Sequence, residues 1–208
     1  MHSPDGRTNK MTHSEQQTLE LENDTAELLC LASGSPPISF SRKWAMPNGD
    51  TFSIPVIGEW VQRRLRASKV SVDPFARNKR WATHTNDLNP ETAAEHHMEA
   101  RAFLEMLVKA GVRVDLVLFD PPYSPRQISE CYASAGLTTT MKTTQASFWG
   151  DCKRLITQLA APECVCLSFG WNSGGMGKPW RIEEIMLVPH GGWHNDTICT
   201  ADRLPANK

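Results

Sequence analysis

Val114-Asp115-Leu116-Val117-Leu118-Phe119-Asp120-Pro121-Pro122-Tyr123 is the stretch on which the reading of this chain turns. Its first six residues are apolar except for Asp115. Such a run suits a strand buried on both faces of a parallel sheet. An acid and two prolines then end it. Pro121 and Pro122 stiffen the strand exit and remove two N–H donors, which leaves carbonyl oxygens aimed in fixed directions. An Asp carboxylate beside a rigid carbonyl can accept both hydrogens of one NH2 group, and Tyr123 adds an aromatic face. The corner is shaped to hold an exocyclic amine on a flat ring. Leu118 and Phe119 read as core.

Working outward, residues 69–72, 81–88, 164–169, 181–188 and 196–202 read as further strands. Residues 57–66, 91–111, 124–135 and 145–160 read as helices, with Gly111 as a stop. Strands alternating with helices over short connections predict an α/β fold: a mainly parallel central sheet flanked by helices, in a single domain. In such sheets ligands sit beyond the carboxyl ends of the strands. Three strand ends carry an acid, Asp73, Asp87 and Asp120. One such acid is readily a helix cap; three together point to a site.

Composition narrows the class. A chain of 208 residues leaves room for one ordinary domain, and 40% apolar with 22% charged residues is ordinary for a globular protein. A formal net charge of -1 argues against a protein that coats nucleic acid non-specifically. No apolar run is long enough to span a bilayer, and the polar N-terminus lacks the apolar segment of a secretory signal. Six cysteines are too few for a disulfide scaffold, so reduced thiols in a cytoplasm are expected. Residues 1–43 are polar and close on Gly34-Ser35-Pro36-Pro37. They read as a flexible N-terminal tail, with 18–31 alone able to form a short helix. Residues 44–208 are the expected catalytic domain.

The charge is unevenly spread. Residues 61–80 hold seven basic side chains against Asp73 alone. Arg63, Arg77, Lys79 and Arg80 are therefore candidates for phosphate contacts, and Trp171 and Asn172, on a glycine-rich loop, for contacts to a base or backbone. A metal site is not expected: Gly191-Gly192 breaks the helix that His190 and His194 would need, and no Cys-x2-Cys occurs. The G-x-S-x-G elbow of a hydrolase is absent.

Asp120-Pro121-Pro122-Tyr123 resembles the [DNS]-P-P-[YFW] hallmark of the amino-methyltransferases, and its Asp form that of the adenine-N6 enzymes. Val70 to Ala76 is similar to their cofactor segment, D-P-F-x-G-x-G, through Asp73, Pro74 and Phe75. Asn86-Asp87-Leu88 resembles the acid that takes the cofactor ribose. His97 to Leu104 resembles the D-A-x-x-F-L segment near the cofactor adenine, with Glu99 in the Asp place followed by Ala100 and Phe103. Residues 51–57 resemble the segment around the methionine part, through Phe52, Ile54 and Pro55. The resemblance covers residues 44–204 and is nearest to small phage and prophage enzymes. It implies a class I Rossmann-like fold, S-adenosyl-L-methionine as cofactor, and methyl transfer to adenine N6 in DNA. Duplex DNA with the base flipped out is the implied substrate, Asp120 to Tyr123 the catalytic residues, and a monomer or homodimer the implied form. The alternatives are an RNA adenine or DNA cytosine-N4 methyltransferase, or a catalytically silent binding module. The last is motivated by a departure: the glycines after Phe75 are missing, and Ala76-Arg77-Asn78-Lys79-Arg80 stands there. Only 46 residues separate Asp73 from Asp120 and 85 follow Tyr123. No separate target-recognition domain fits, so sequence preference is expected to be short or relaxed, or supplied by a protein partner.

Overall fold

The structure is a computed structural model that describes residues 36–138, 146–172 and 174–206. The decisive run forms a strand over Val114–Phe119, with every residue but Asp115 buried. In chain order the elements are β1 (Ser39–Arg42), a 3-10 turn (Thr51–Ser53), α1 (Pro55–Leu65), β2 (Ser71–Asp73), β3 (His84–Thr85), α2 (Ala100–Lys109) and β4 (Val114–Phe119). Then come α3 (Pro125–Ser134), α4 (Ala146–Leu159), β5 (Ala160–Gly170), β6 (Arg181–Val188) and β7 (Thr197–Arg203).

The strands form one sheet in the order β1-β6-β7-β5-β4-β2-β3. Every neighbouring pair is parallel except those of β7, which lies antiparallel between β5 and β6. The α/β, Rossmann-like class expected from the sequence is the one observed. The carboxyl ends of β1 to β6 therefore share one edge of the sheet.

Two cores sandwich the sheet. Leu116 and Leu118 pack with Ile57, Trp60 and Val61 of α1, while Val117 and Phe119 pack with Phe103, Leu107, Cys152 and Ile156 of α2 and α4. Alternation along β4 sends successive side chains to opposite faces, so a strand covered on both is apolar wherever it is covered, with Asp115 the partly exposed exception near its start. Each buried Leu or Ile contributes about 1.5–3 kcal/mol.

The sheet starts earlier than the sequence suggested. β1 pairs with β6 from Ser39↔Glu184 to Arg42↔Leu187, inside the stretch read as tail. An edge strand whose side chains stay mostly exposed carries no apolar alternation to betray it. The short helix read at 18–31 lies outside the described residues. The helix read over 91–111 begins only at Ala100. The preceding backbone is taken by β3 instead: Thr85 accepts from Glu95 and His96, and Asn86 bridges to His96 in parallel fashion.

α1 starts at Pro55, a residue suited to the first helical position because its missing N–H has no partner there anyway. Gly58 lets the 3-10 turn cross α1 closely, since a Cβ on it would lie 2.6 Å from the Phe52 carbonyl oxygen. Gly58→Ala is expected to destabilise the fold by about 1–3 kcal/mol, read as a lower urea midpoint with an unchanged slope.

Candidate functional site

A cleft of about 450 Å³ opens at the carboxyl ends of β2, β3 and β4. It falls within the range of small-molecule sites, roughly 300–1,000 Å³. Asp120, Pro121, Pro122 and Tyr123 form one wall. The Tyr123 hydroxyl donates to Asp120 Oδ1 and lies 3.2 Å from Thr51 Oγ1. Burial pushes the Asp120 carboxyl up to about 6, against the opposing pull of the Tyr123 and Thr51 hydrogen bonds and the Arg77 charge. Burial, with Asp120 beside it, also pushes the Tyr123 phenol well above its ordinary range. The Tyr123 N–H donates to Gln127 Oε1 at 2.7 Å, and the Ser124 side chain caps α3 by accepting from the Gln127 N–H. The corner thus runs straight into a capped helix.

The facing wall comes from three separate exits. Pro74 and Phe75 follow β2, Asp87 and Leu88 follow β3, and Glu99 and Ala100 open α2. One buried amide joins them. Asn86 Nδ2 donates to the Pro74 carbonyl at 3.1 Å and the Met98 carbonyl at 2.9 Å, while its Oδ1 accepts from the Met98 N–H. Asp87 accepts from the Arg77 N–H at 3.0 Å and the Asn89 N–H at 2.9 Å, which fixes its carboxylate at the rim. Phe75, Phe148 and Trp149 supply an aromatic side, with edge-on contacts at 5.7 Å and 4.9 Å between ring centroids. α3 spans the opening through Ile128, Cys131 and Tyr132, and the Tyr132 hydroxyl donates to Glu99.

Arg77 occupies the first of the missing glycine positions and has φ 49, the left-handed region. The loop keeps the turn that a glycine would favour, at a cost of about 1–2 kcal/mol. Its guanidinium donates to the Gly49 carbonyl and lines the cleft. Asp73 lies fully buried behind this wall. Its Oδ1 accepts from the Phe75 N–H at 2.9 Å, and its Oδ2 has no hydrogen-bond partner among the described residues. Burial holds its carboxyl well above the usual range.

Several expected site residues sit elsewhere. Phe52 and Ile54 are buried against α1, because the 3-10 turn points its apolar residues inward and leaves Thr51 to face the cleft. Pro55 starts α1, and Phe103 is core, its ring 5.4 Å from that of His96. The basic run is largely engaged. Arg63 and Arg64 pair with Glu183 and Glu184 of β6, and Lys79 pairs with Asp50 and lies over the Trp81 ring. Arg80 is exposed. Trp171 meets Tyr123 edge-on at 5.5 Å, and Asn172 is exposed. Gln127, Tyr132, Phe148 and Trp149, which the sequence reading did not single out, also line the cleft, while Thr51 lines it and Asn86 braces it from within segments that reading quoted. Of the first four only Phe148-Trp149, an aromatic pair near the start of a helix, carried a local signal.

No protein-family model matches the chain, and no curated protein does. Among solved structures it is similar in fold to yhhF from Escherichia coli, assigned as a methyltransferase. The identity is 13% over 80% of this chain and 93% of that one, with a TM-score of 0.49. It is similar to NSun6 from Pyrococcus horikoshii, crystallised with SFG (13%, 78% and 53%, 0.49), and to TrmN from Thermus thermophilus (14%, 73% and 49%, 0.47). The chain spans about half the length of the latter two. These likenesses concern the fold; function rests on the cleft.

The half-paired carboxyl of Asp73 has a consequence for stability. Its raised folded-state pKa means that its contribution is greatest below the ordinary Asp value near 4 and is lost as pH rises through the raised value. Asp73→Asn should therefore gain stability relative to the parent between pH 4 and pH 8, measured by urea unfolding across that range. A pH-independent difference would show that Asp73 is not held protonated.

Proposed function

We propose that the chain transfers a methyl group from S-adenosyl-L-methionine to the N6 amine of adenine in DNA. One observation carries the reading: the Asp120-Pro121-Pro122-Tyr123 corner and the segments around Phe75, Asp87 and Glu99 line a single cleft. The ionisable groups on its walls favour a cationic ligand, with Asp87, Glu99, Asp120 and Glu130 against Arg77 alone. A positive charge against the Pro74–Phe75 wall would also offset the cost of ionising Asp73 behind it. Asp87 suits ribose hydroxyls, and Leu88, Ala100 and the Phe75–Trp149 side suit a purine. The residues present thus fit S-adenosylmethionine, which when bound supplies an electrophilic sulfonium methyl.

The chain's own part is positioning. An exocyclic amine is a weak nucleophile, because its lone pair is delocalised into the ring. Hydrogen bonds from the amine to the Asp120 carboxylate and the Pro121 carbonyl would localise that pair and aim it at the methyl. Tyr123 would stack on the base while its hydroxyl holds Asp120. Trp171 meets the Tyr123 ring edge-on at 5.5 Å. The amine becomes strongly acidic only once methylated, so Asp120 need not be a strong base. The turn held at Arg77 without glycine supports an active rather than a silent domain.

Incubating the full chain with labelled cofactor and plasmid DNA, then separating nucleosides by mass spectrometry, should yield N6-methyladenine. N4-methylcytosine, or methylation of RNA alone, would replace the proposed substrate. Asp120→Ala should lower turnover by at least 10²-fold with cofactor binding retained. Asp120 must be ionised to accept the amine, so kcat/KM should fall about tenfold per unit as pH drops below about 6. A profile flat down to pH 4.5 would count against its role.

A further inference from the structure

Two tryptophans and a methionine stand exposed where a globular surface seldom leaves them. Trp193 is 103% exposed, Met46 67% and Trp44 60%. They lie on the segments that follow β1 and β6, at the same sheet edge as the cleft. On the segment after β1 the exposure is built rather than frayed. The Lys43 and Ala45 N–H groups donate to the Leu187 and Pro189 carbonyls, so the segment is tied down. Ala45 is buried between exposed Trp44 and Met46, and its carbonyl meets buried His190 at Nδ1, whose Nε2 is held by Thr197. Trp44 sits across the Gly191 backbone, where even a Cβ would lie 3.7 Å from its Nε1. A tethered backbone that presents its rings outward is an interaction surface.

Position and charge select the occupant. The chain passes from Met46 to Gly49 on the cleft rim in three residues, at most about 11 Å. That is the length of a few stacked nucleotides, at about 3.4 Å each. Arg42 and Lys43 are exposed beside the rings. Arg63 and Lys79, two of the four cations the sequence offered for phosphates, are already paired with carboxylates. Aromatic faces flanked by basic side chains are the elements of a single-strand stacking platform. We infer that Trp44, Met46 and Trp193 form a ledge on which bases neighbouring the target base stack, so that the chain prefers single-stranded over duplex nucleic acid. This rests on the nucleic-acid substrate proposed above. The apolar start of β1, with Ile38 and Phe40 exposed, supplies the competing occupant, a second copy of the chain.

Fluorescence anisotropy with the full chain and a labelled fifteen-nucleotide mixed-sequence DNA, single-stranded or annealed, tests the ledge. The single strand should bind more tightly. Trp44→Ala and Trp193→Ala should each weaken it about tenfold with an unchanged salt slope, while Trp193→Phe keeps most of the affinity. In methyl transfer the same variants should raise the KM for DNA and leave kcat and cofactor affinity alone. Methylation with single-strand affinity unchanged in both alanine variants would overturn the ledge and spare the proposed activity. Loss of self-association in those variants, seen by sedimentation, with DNA binding intact would assign the surface to a second copy instead. A parent chain that binds the cofactor but neither form of DNA would overturn both readings.

Discussion

A strand covered on both faces can carry a polar side chain only near its ends, and β4 is such a strand, with Asp115 at its start and Asp120 just past its last residue. Its side chains are sealed by α1 on one side and by α2 and α4 on the other. The first acid after its core residues, Asp120, is therefore at once at the sheet edge and still largely out of water. Two prolines prevent the backbone from continuing the ladder, so the chain turns there and nowhere else. The position of the acid, its raised pKa and the direction of the Pro121 carbonyl all descend from this single constraint.

The other half of the cleft is held by a different device. Pro74, Asp87 and Glu99 lie on three segments that share no strand or helix. Asn86 brings them together with one side chain, because an amide offers two donors and an acceptor in a fixed plane. Left unpaired in the interior, either end of that amide would cost about 1–3 kcal/mol. Its hydrogen bonds instead draw residue 98 back against residue 74. This is also why a stretch rich in helix formers, residues 91–99, is not helical: its N–H groups already have partners on Thr85, Asn86 and their neighbours. Tertiary hydrogen bonding overrode local propensity there.

What could be read from the sequence follows from the range of each signal. β4, α2 from Ala100 and the corner at Asp120 announce themselves within ten residues, through an apolar run broken only by Asp115, a helical period and two adjacent prolines. The engagement of Arg63 and Arg64 by Glu183 and Glu184 does not, because the partners lie about 120 residues away and meet only when β6 enters the sheet. A local count of charge therefore overstated what is free to meet phosphate. β1 was missed for a related reason. Its pairing with β6 is a backbone matter, and its outward side chains carry no periodic mark.

Arg77 shows how a lost motif residue can change its work. A glycine at this turn would supply only the backbone conformation and room for a ligand. Arginine keeps the conformation, at φ 49, and adds a charge whose side chain reaches the Gly49 carbonyl. That contact braces the segment that carries Thr51 to the Tyr123 hydroxyl. The same charge opposes the effect of burial on the Asp120 carboxyl. Burial alone would raise this acid further and weaken it as an acceptor for an amine. The Tyr123 and Thr51 hydrogen bonds lower it again and the Arg77 charge adds to them, while the corner stays dry enough for its hydrogen bonds to be strong. The strain accepted at residue 77 thus lies on the same loop as a charge that favours the ionised form of Asp120.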